Sequence, residues 1–520
     1  MRQGIAVFLL WAALAACRTC ACDTPPPAQP AKTALFAGDP RCSVRKTAAG
    51  RFSNGLGIEA AVADQDLAAG QDKDLDLIPQ ETQRQQSSTN AQDAAPRAVQ
   101  AASRLYLENA LSVSSLQSEL AVPAPAPPPY NWQERLFFDV RKEWRLSSRL
   151  GLTYSGRLNF RDENDLSFPT HENVINDLRE AYLQWQPWDR TYLDVGRVNL
   201  KSGVALGYNP TDFFRTRAVV EPLSADPTVL REDRLGTLMM RTQQLWEGGS
   251  LTAAFAPGLY KPSPIYTNLN LPSVDPMLAR TNARNRFLAK SSVNIASNFS
   301  PEFLLYREGG QTRVGANLAE GLGQKVVAYL EWAGGRRASL IDDALHYGRE
   351  TGTLPAEAAS VVPESSRKSF HNELSVGASY TTENRITFNL EYHLNQAGFT
   401  HSDWINGFAA GSGRSAATPV ARELWYVRGY ALDQQDPISR HSIFLRADWS
   451  DAFVPKLELT GLVNTDVYDG SSLLQLTADY YLSDTWTVGG VIVTNVGGAH
   501  SDFGSLPQAA NVLFKAARYF

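Results

Sequence analysis

The chain has 520 residues, a formal net charge of -5, 20% charged residues and 43% hydrophobic residues. This length allows one large domain with an extension. The nearly neutral charge indicates neither a nucleic-acid partner nor a strongly acidic surface.

The first segment predicts a secretion signal over residues 1–21. Arg2 is followed by an apolar run, Ile5–Ala16, that ends in small residues. The run is too short for a membrane-spanning helix, which needs about 20 residues. An exported chain without such a helix is either soluble outside the inner membrane or a barrel.

The cysteines lie only near the N-terminus, at positions 17, 20, 22 and 42. The sequence Leu14–Cys17 matches the lipobox of bacterial lipoproteins, which predicts acylation of Cys17. The alternative is ordinary cleavage after Ala21. That cleavage leaves Cys22 and Cys42, which could pair in an oxidising compartment.

Residues 22–102 are rich in Ala, Gln, Pro, Asp and Ser, most visibly over Gln80–Asn90. Such a composition buries little apolar surface and predicts a periplasmic extension that is disordered or, alternatively, loosely helical. From Tyr130 onward the chain changes to short alternating segments separated by Gly, Asn, Asp and Pro.

The alternation is clearest over Arg385–Leu394, where every second residue is apolar and the residues between them are polar. Side chains of a strand alternate between two faces, so one face is apolar and the other polar. The same pattern recurs over 150–160, 373–380, 456–463 and 474–482. A soluble β-sandwich would also alternate.

Three features favour a membrane barrel over a sandwich. Many segments run about ten residues, the length that crosses a bilayer at a tilt. The chain ends on a strand-like segment with Phe520, a mark read by the barrel assembly machinery, although Arg518 stands where an aromatic residue is usual. Aromatic residues lie at segment ends, as in interfacial girdles, at Trp144, Trp188, Trp246, Trp332, Trp449, Trp486 and Tyr519.

Connector lengths alternate between tight turns and long segments, near 161–176, 201–234, 257–285, 334–368 and 398–440. Barrels have short periplasmic turns and long outer loops. About 17 strands follow from Arg135, and an even number requires one more. We place it within 103–122, which predicts a closed antiparallel transmembrane β-barrel of about 18 strands over 103–520. If 103–122 is instead a helix, the barrel has about 16 strands.

The polar faces of these strands provide candidate pore-lining residues of both signs. They are Arg141, Arg157, Arg313, Glu331, Glu373, Arg385, Glu391, Arg446, Asp448, Glu458 and Asp479. Most side chains of this kind are solvated or paired across strands. The functional alternative is a charge-lined path for a polar solute, whose selectivity follows the local charges.

The segment from Lys201 to Arg234 is the most distinctive long connector. It contains Asn209-Pro210-Thr211-Asp212, a turn signal, followed by several charged residues. We expect either a loop folded into the pore or an ordered surface loop. For the inward loop, the candidate constriction residues are Asn209, Asp212, Arg215 and Arg217.

At this segment the chain resembles families of Gram-negative outer-membrane barrels, including porin-like ones. A Gly196-Arg197 pair leaves a strand and is followed by Gly207 and by the Asn-Pro-Thr-Asp turn. The plan over 130–520 also resembles the alginate-export type of 18-stranded barrel. The resemblance implies passive passage of a hydrophilic solute or a polysaccharide across the cell outer membrane.

The main hypothesis is therefore an outer-membrane channel in contact with lipid, without a cofactor and without enzymatic activity. An export channel for an anionic polysaccharide is one alternative. A barrel hydrolase is an alternative of another class, but no G-x-S-x-G motif is present. No His or Cys spacing indicates a zinc site.

Overall fold

The computed structural model describes residues 103–117, 119–123, 131–163, 174–219, 224–265, 277–296, 299–354, 362, 368–413 and 419–520. The predicted signal peptide at 1–21, the predicted acylation of Cys17 and the predicted extension at 22–102 lie outside the described residues.

The alternating segments form strands. In chain order they are β1 Ser103–Leu116, β2 Trp132–Ser147, β3 Leu150–Glu163, β4 Val174–Trp188, β5 Thr191–Val198, β6 Thr237–Trp246, β7 Gly249–Ala256, β8 Arg286–Val293, β9 Glu302–Glu308, β10 Gln311–Leu322, β11 Val326–Arg337, β12 Ser369–Thr381, β13 Ile386–Asn395, β14 His441–Trp449, β15 Leu457–Asp466, β16 Ser472–Ser483, β17 Trp486–Val496 and β18 Gln508–Tyr519.

The 18 strands within the described ranges close into one antiparallel ring in chain order. The ring is sealed at β1, whose Ala110 lies opposite Arg135 of β2 on one side and opposite Lys515 of β18 on the other. A closed ring leaves no unpaired strand edge. The prediction of an 18-stranded barrel is confirmed.

The two faces of the wall are inverted relative to a soluble protein. On β13, Phe388, Leu390 and Tyr392 are exposed on the outside, whereas Glu391 and His393 are buried inside. An apolar exterior around a polar interior suits a ring surrounded by hydrocarbon. The single ring excludes a sandwich, because a sandwich would bury its apolar faces between two stacked sheets.

Aromatic side chains cluster at one end of the ring. Trp144, Trp188, Trp246 and Trp486 are exposed beside the short turns that connect their strands, where a Trp girdle marks the membrane interface. Trp332 differs from the prediction because it lies within β11, where its indole N–H donates to Asn372 Oδ1 at 3.1 Å.

Connector length separates the two ends of the barrel. Short turns at 148–149, 189–190, 247–248, 323–325, 382–385 and 484–485 lie at the end where the girdle is found. The connectors at the other end are longest at 199–236, 257–285, 338–368 and 396–440. This alternation matches short periplasmic turns and long outer loops.

The long connectors contain the helices: α1 Pro227–Asp233, α2 Leu278–Thr281, α3 Leu340–Glu350, α4 His401–Gly411 and α5 Pro419–Gln434. Helix α4 begins with a capping box between Thr400 and Asp403. None of the helices in the described ranges combines the length and the apolar character that crossing a membrane would require. Helices α3, α4 and α5 share an apolar core that includes Leu345, Trp404 and Tyr426, and we call them the helical cap.

Candidate pore and its constriction loop

The connector between β5 and β6, residues 199–236, turns into the barrel. Strand β5 ends at Val198 after eight residues, whereas its neighbour β4 has fifteen. The chain therefore leaves the wall at Val198, before it has run alongside the whole length of β4. Its Ala205, Tyr208 and Phe213 side chains are buried. We call residues 199–236 the constriction loop.

Two wall glutamates hold the backbone of the constriction loop. Glu391 of β13 accepts hydrogen bonds from the N–H groups of Leu206 at 2.7 Å and Gly207 at 2.9 Å. Glu331 of β11 accepts from the N–H groups of Val204 and Ala205, the latter at 2.6 Å. Hydrogen bonds to a carboxylate are stronger than those to a neutral acceptor. The loop therefore leaves the wall at β5, returns to it at β6, and is held between them by β11 and β13 on the far side of the ring.

Glu331 also binds the side chains of two turn residues. Asn209 Nδ2 donates to it at 3.1 Å, and so does Thr211 Oγ1 at 3.1 Å. Between Glu331 and Glu391, Glu373 of β12 accepts from the Tyr208 hydroxyl at 2.9 Å. Glu331, Glu373 and Glu391 form what we call the glutamate clamp.

The second half of the constriction loop is tied to the helical cap. Arg215 pairs with Asp436, which follows α5, and also donates to the Asn209 carbonyl at 2.7 Å. The Arg217 N–H donates to the Asp433 carbonyl at 2.7 Å, and its guanidinium donates to the Tyr347 hydroxyl at 3.1 Å. An ion pair and several hydrogen bonds therefore join the constriction loop to the helical cap.

Asp212, the last residue of the turn, pairs within the constriction loop. It accepts from Arg234 at 2.8 Å, and both side chains are buried. The four candidate constriction residues, Asn209, Asp212, Arg215 and Arg217, thus all lie buried inside the barrel.

The candidate pore-lining residues are mostly paired with opposite charges. Arg157 bonds to Asp139 at 3.0 Å and to Asp233 at 2.8 Å. Arg313 and Arg337 both pair with Glu373, at 2.5 and 2.7 Å. In these pairs each charge on the inner face lies beside a charge of the opposite sign.

The remaining candidates lie on β14 to β16. Arg446 pairs with Asp226 of the constriction loop at 3.1 Å and with Asp448 at 3.0 Å. Asp479 pairs with Lys515 at 2.6 Å. The carboxylate of Glu458, the last of these candidates, accepts from the Tyr481 hydroxyl at 3.3 Å.

Arg385 does not line the pore, which corrects the prediction. It lies in the turn before β13, has a φ of +59° and pairs with Asp451 in a neighbouring turn. Its side chain is 70% exposed. Arg385 precedes the first residue of β13, so the predicted alternation includes one residue that is not in the strand. The left-handed backbone conformation at Arg385 directs its side chain toward Asp451 and away from the lumen.

A small group of inner-face charges contains three side chains that are open to water, Arg141, Glu143 and Glu232. The group consists of Arg141 and Glu143 on β2, Glu180 on β4, and Lys201 and Glu232 on the constriction loop. Of these, only Arg141 was a sequence candidate. Glu143 follows Arg141 with the period of two that identifies the inner face. Glu180 could not be placed in this way because the pairing of β3 with β4 shifts register after Ser155.

Around the constriction loop, the inner wall is crowded. Glu108, Arg135, Asp139 and Asp194 are each at most 1% exposed. Open inner-face charges appear toward the short-turn end of β2, at Arg141 and beyond. The inner face is thus covered around Asp139 and open to solvent toward the short-turn end of β2.

No group of His, Cys, Asp and Glu side chains in the described ranges is arranged to hold a metal ion.

No family model and no curated protein matches this chain. Among solved structures, Pseudomonas aeruginosa OccK8 (OprE) has 10% identity and a TM-score of 0.46, over 82% of this chain and 99% of that one. Acinetobacter baumannii OccAB4 has 7% identity and a TM-score of 0.45, over 82% and 100%. Pseudomonas aeruginosa OccK11 (OpdR) has 13% identity and a TM-score of 0.44, over 81% and 96%. At these values the similarity does not by itself identify a function for this chain.

Proposed function

We propose that this protein is a channel of the outer membrane through which hydrophilic solutes pass passively. The observation that carries the proposal is a closed ring with an apolar exterior, a charged interior and a loop that narrows the interior. Such a ring excludes lipid from its polar lumen. Passage is then driven by the solute gradient, and the constriction loop limits solute size.

The charge balance of the lumen favours small solutes over a polyanion. Arg157 is paired with Asp139 and Asp233, and Arg313 with Glu373. A polyanion needs a continuous cationic surface, and these carboxylates interrupt it. Export of an anionic polysaccharide is the less favoured candidate.

One alignment favours a hydrolase as the second candidate. Ser442 Oγ lies 3.2 Å from His393 Nδ1, and His393 Nε2 lies 2.7 Å from Glu391. A serine, a histidine and a carboxylate in a row are the parts of a hydrolytic triad. All three are buried, however, and Glu391 already binds the backbone of the constriction loop. We therefore assign the alignment to positioning that loop.

Reconstitution of the purified protein into planar lipid bilayers tests the proposal. We expect stepwise ohmic currents, and we expect liposome swelling rates that fall as the size of a neutral sugar increases. Heat-unfolded protein is the control, and a Ser442→Ala variant should conduct normally. Absence of conductance in a correctly folded preparation would refute the channel. Ester hydrolysis abolished by Ser442→Ala would support the hydrolase instead.

A further inference from the structure

We infer that a connected row of five charges, on the inner wall and on the constriction loop, forms a selectivity strip that favours cations and solutes carrying an ammonium group. The inference rests on the proposed channel function and adds a substrate class to it. The strip consists of Arg141, Glu143, Glu180, Lys201 and Glu232.

The strip is one connected row across the inner wall. Glu143 accepts from Arg141 at 3.2 Å, and Arg141 donates to Glu180 at 3.0 Å. Glu180 also accepts from the Asn199 N–H at 3.3 Å, at the point where the constriction loop begins. Lys201 then pairs with Glu232 in α1. The row therefore joins the wall to both arms of the constriction loop.

The row differs from the other ion pairs of the lumen in the exposure of three members, Glu232, Glu143 and Arg141. Its side chains are exposed by 50% at Glu232, 43% at Glu143, 37% at Arg141, 17% at Lys201 and 12% at Glu180. By contrast, Arg157 and Asp139 are exposed by 3% and 0%. A solute in the lumen thus meets the row, whereas the buried pairs are covered by their neighbours.

The preference for cations over anions follows from the charge of the most exposed side chains. The row has three carboxylates and two cations, and the two most exposed members are Glu232 and Glu143. Carboxylate oxygens facing water attract cations and accept hydrogen bonds from ammonium groups. Arg141, half-open beside them, can receive the carboxylate of a zwitterion.

Glu143 offers the cleanest test because its carboxylate binds Arg141 on its own strand and leaves the direct contacts of the constriction loop intact. We propose measuring the reversal potential in a KCl gradient for the wild type, Glu143→Gln and Glu143→Lys. Two charges several ångströms apart in water interact by about 0.5–1 kcal/mol. The ratio of K⁺ to Cl⁻ permeability should therefore fall about two- to fivefold in Glu143→Gln and further in Glu143→Lys.

Glu383→Gln is the matched control, because this glutamate is exposed in a short turn and pairs with Lys325 outside the lumen. Its permeability ratio should equal that of the wild type. Lys201→Gln should shift the ratio in the opposite direction, toward cations. In liposomes, the swelling rate in lysine relative to glutamate should fall in Glu143→Gln.

The possible outcomes distinguish failure of the selectivity proposal from failure of the channel proposal. If the wild type conducts but the ratio is unchanged in Glu143→Gln, Glu143→Lys and Lys201→Gln, the strip is refuted and the channel stands. A change of conductance without a change of ratio would assign these residues a structural role only, which also overturns the inference. If the folded wild type does not conduct, the channel proposal itself fails.

Discussion

Replacing Glu391 by Gln should release the constriction loop from the wall. In the wild type, Glu391 accepts four hydrogen bonds, from Leu206 N–H at 2.7 Å, Gly207 N–H at 2.9 Å, Tyr329 Oη at 2.6 Å and His393 Nε2 at 2.7 Å. Gln has the same shape but only one acceptor oxygen, so its amide NH₂ faces donors at one of the two positions.

The free-energy cost of Glu391→Gln follows from counting these hydrogen bonds. His393 can adjust by exposing a lone pair to the new amide, but one backbone N–H of the loop loses its acceptor. An unsatisfied buried donor costs about 1–3 kcal/mol, and the remaining bonds change from charged to neutral acceptors at about 1 kcal/mol each. A net loss of about 3 kcal/mol raises the population of the released loop on the order of 100-fold.

Single-channel recording measures this release directly. We expect Glu391→Gln to show larger and more frequently fluctuating conductance than the steady wild type. Asp479→Asn is the matched control, because Asp479 is a buried inner-face carboxylate that pairs with Lys515 on the wall. Both variants should retain the folded barrel, checked by heat-dependent migration in gels. Equal conductance and equal noise in Glu391→Gln and Asp479→Asn would show that the clamp does not hold the loop.

Two further predictions concern the lipid face and the outer loops. Leu390 lies in the middle of β13 on the lipid face, and Leu390→Arg should lower the free energy of unfolding by about 2–4 kcal/mol. Leu146→Arg, near a strand end, should lower it by only about 0–1 kcal/mol. Urea unfolding from vesicles measures both, and equal losses would argue against this placement in the bilayer. Burial, together with neighbouring carboxylates, raises the pKa of Asp502 to about 7 despite the Arg428 guanidinium at 3.0 Å. Its stabilising contribution is therefore complete below the ordinary aspartate pKa and is lost as pH rises through about 7. Hydrogen exchange of residues 497–507, corrected for intrinsic rates, should accelerate between pH 5.5 and 8.5, and Asp502→Asn should abolish that change.

The sequence by itself determined the wall of the barrel. The period of two over β13 assigns Leu390 to the outside and Glu391 to the inside, and both are observed there. Successive side chains of a strand point in opposite directions whatever their partners are, so this property is local. The alternation of short and long connectors, together with an even strand number, then led to the 18-stranded ring.

Local patterns were less informative at strand ends and in the long connectors. Arg385 was placed on the inner face because alternation does not show where a strand begins. The helical cap was not predicted, although Thr400 and Asp403 form a capping box that the sequence contains. Helices of this length depend mainly on tertiary packing for their stability.

Only the tertiary structure decided what the constriction loop binds. Leu206 meets Glu391 across 185 positions of sequence, and Ala205 meets Glu331 across 126. Such pairs depend on where β5 ends, on the registers of the intervening strands and on the curvature of the closed ring. These quantities accumulate over the whole wall, so no local segment encodes which glutamate accepts a given N–H. For the same reason, which charges stay open to water, such as Glu143 and Glu232, became visible only once the ring was closed and the loop was in place.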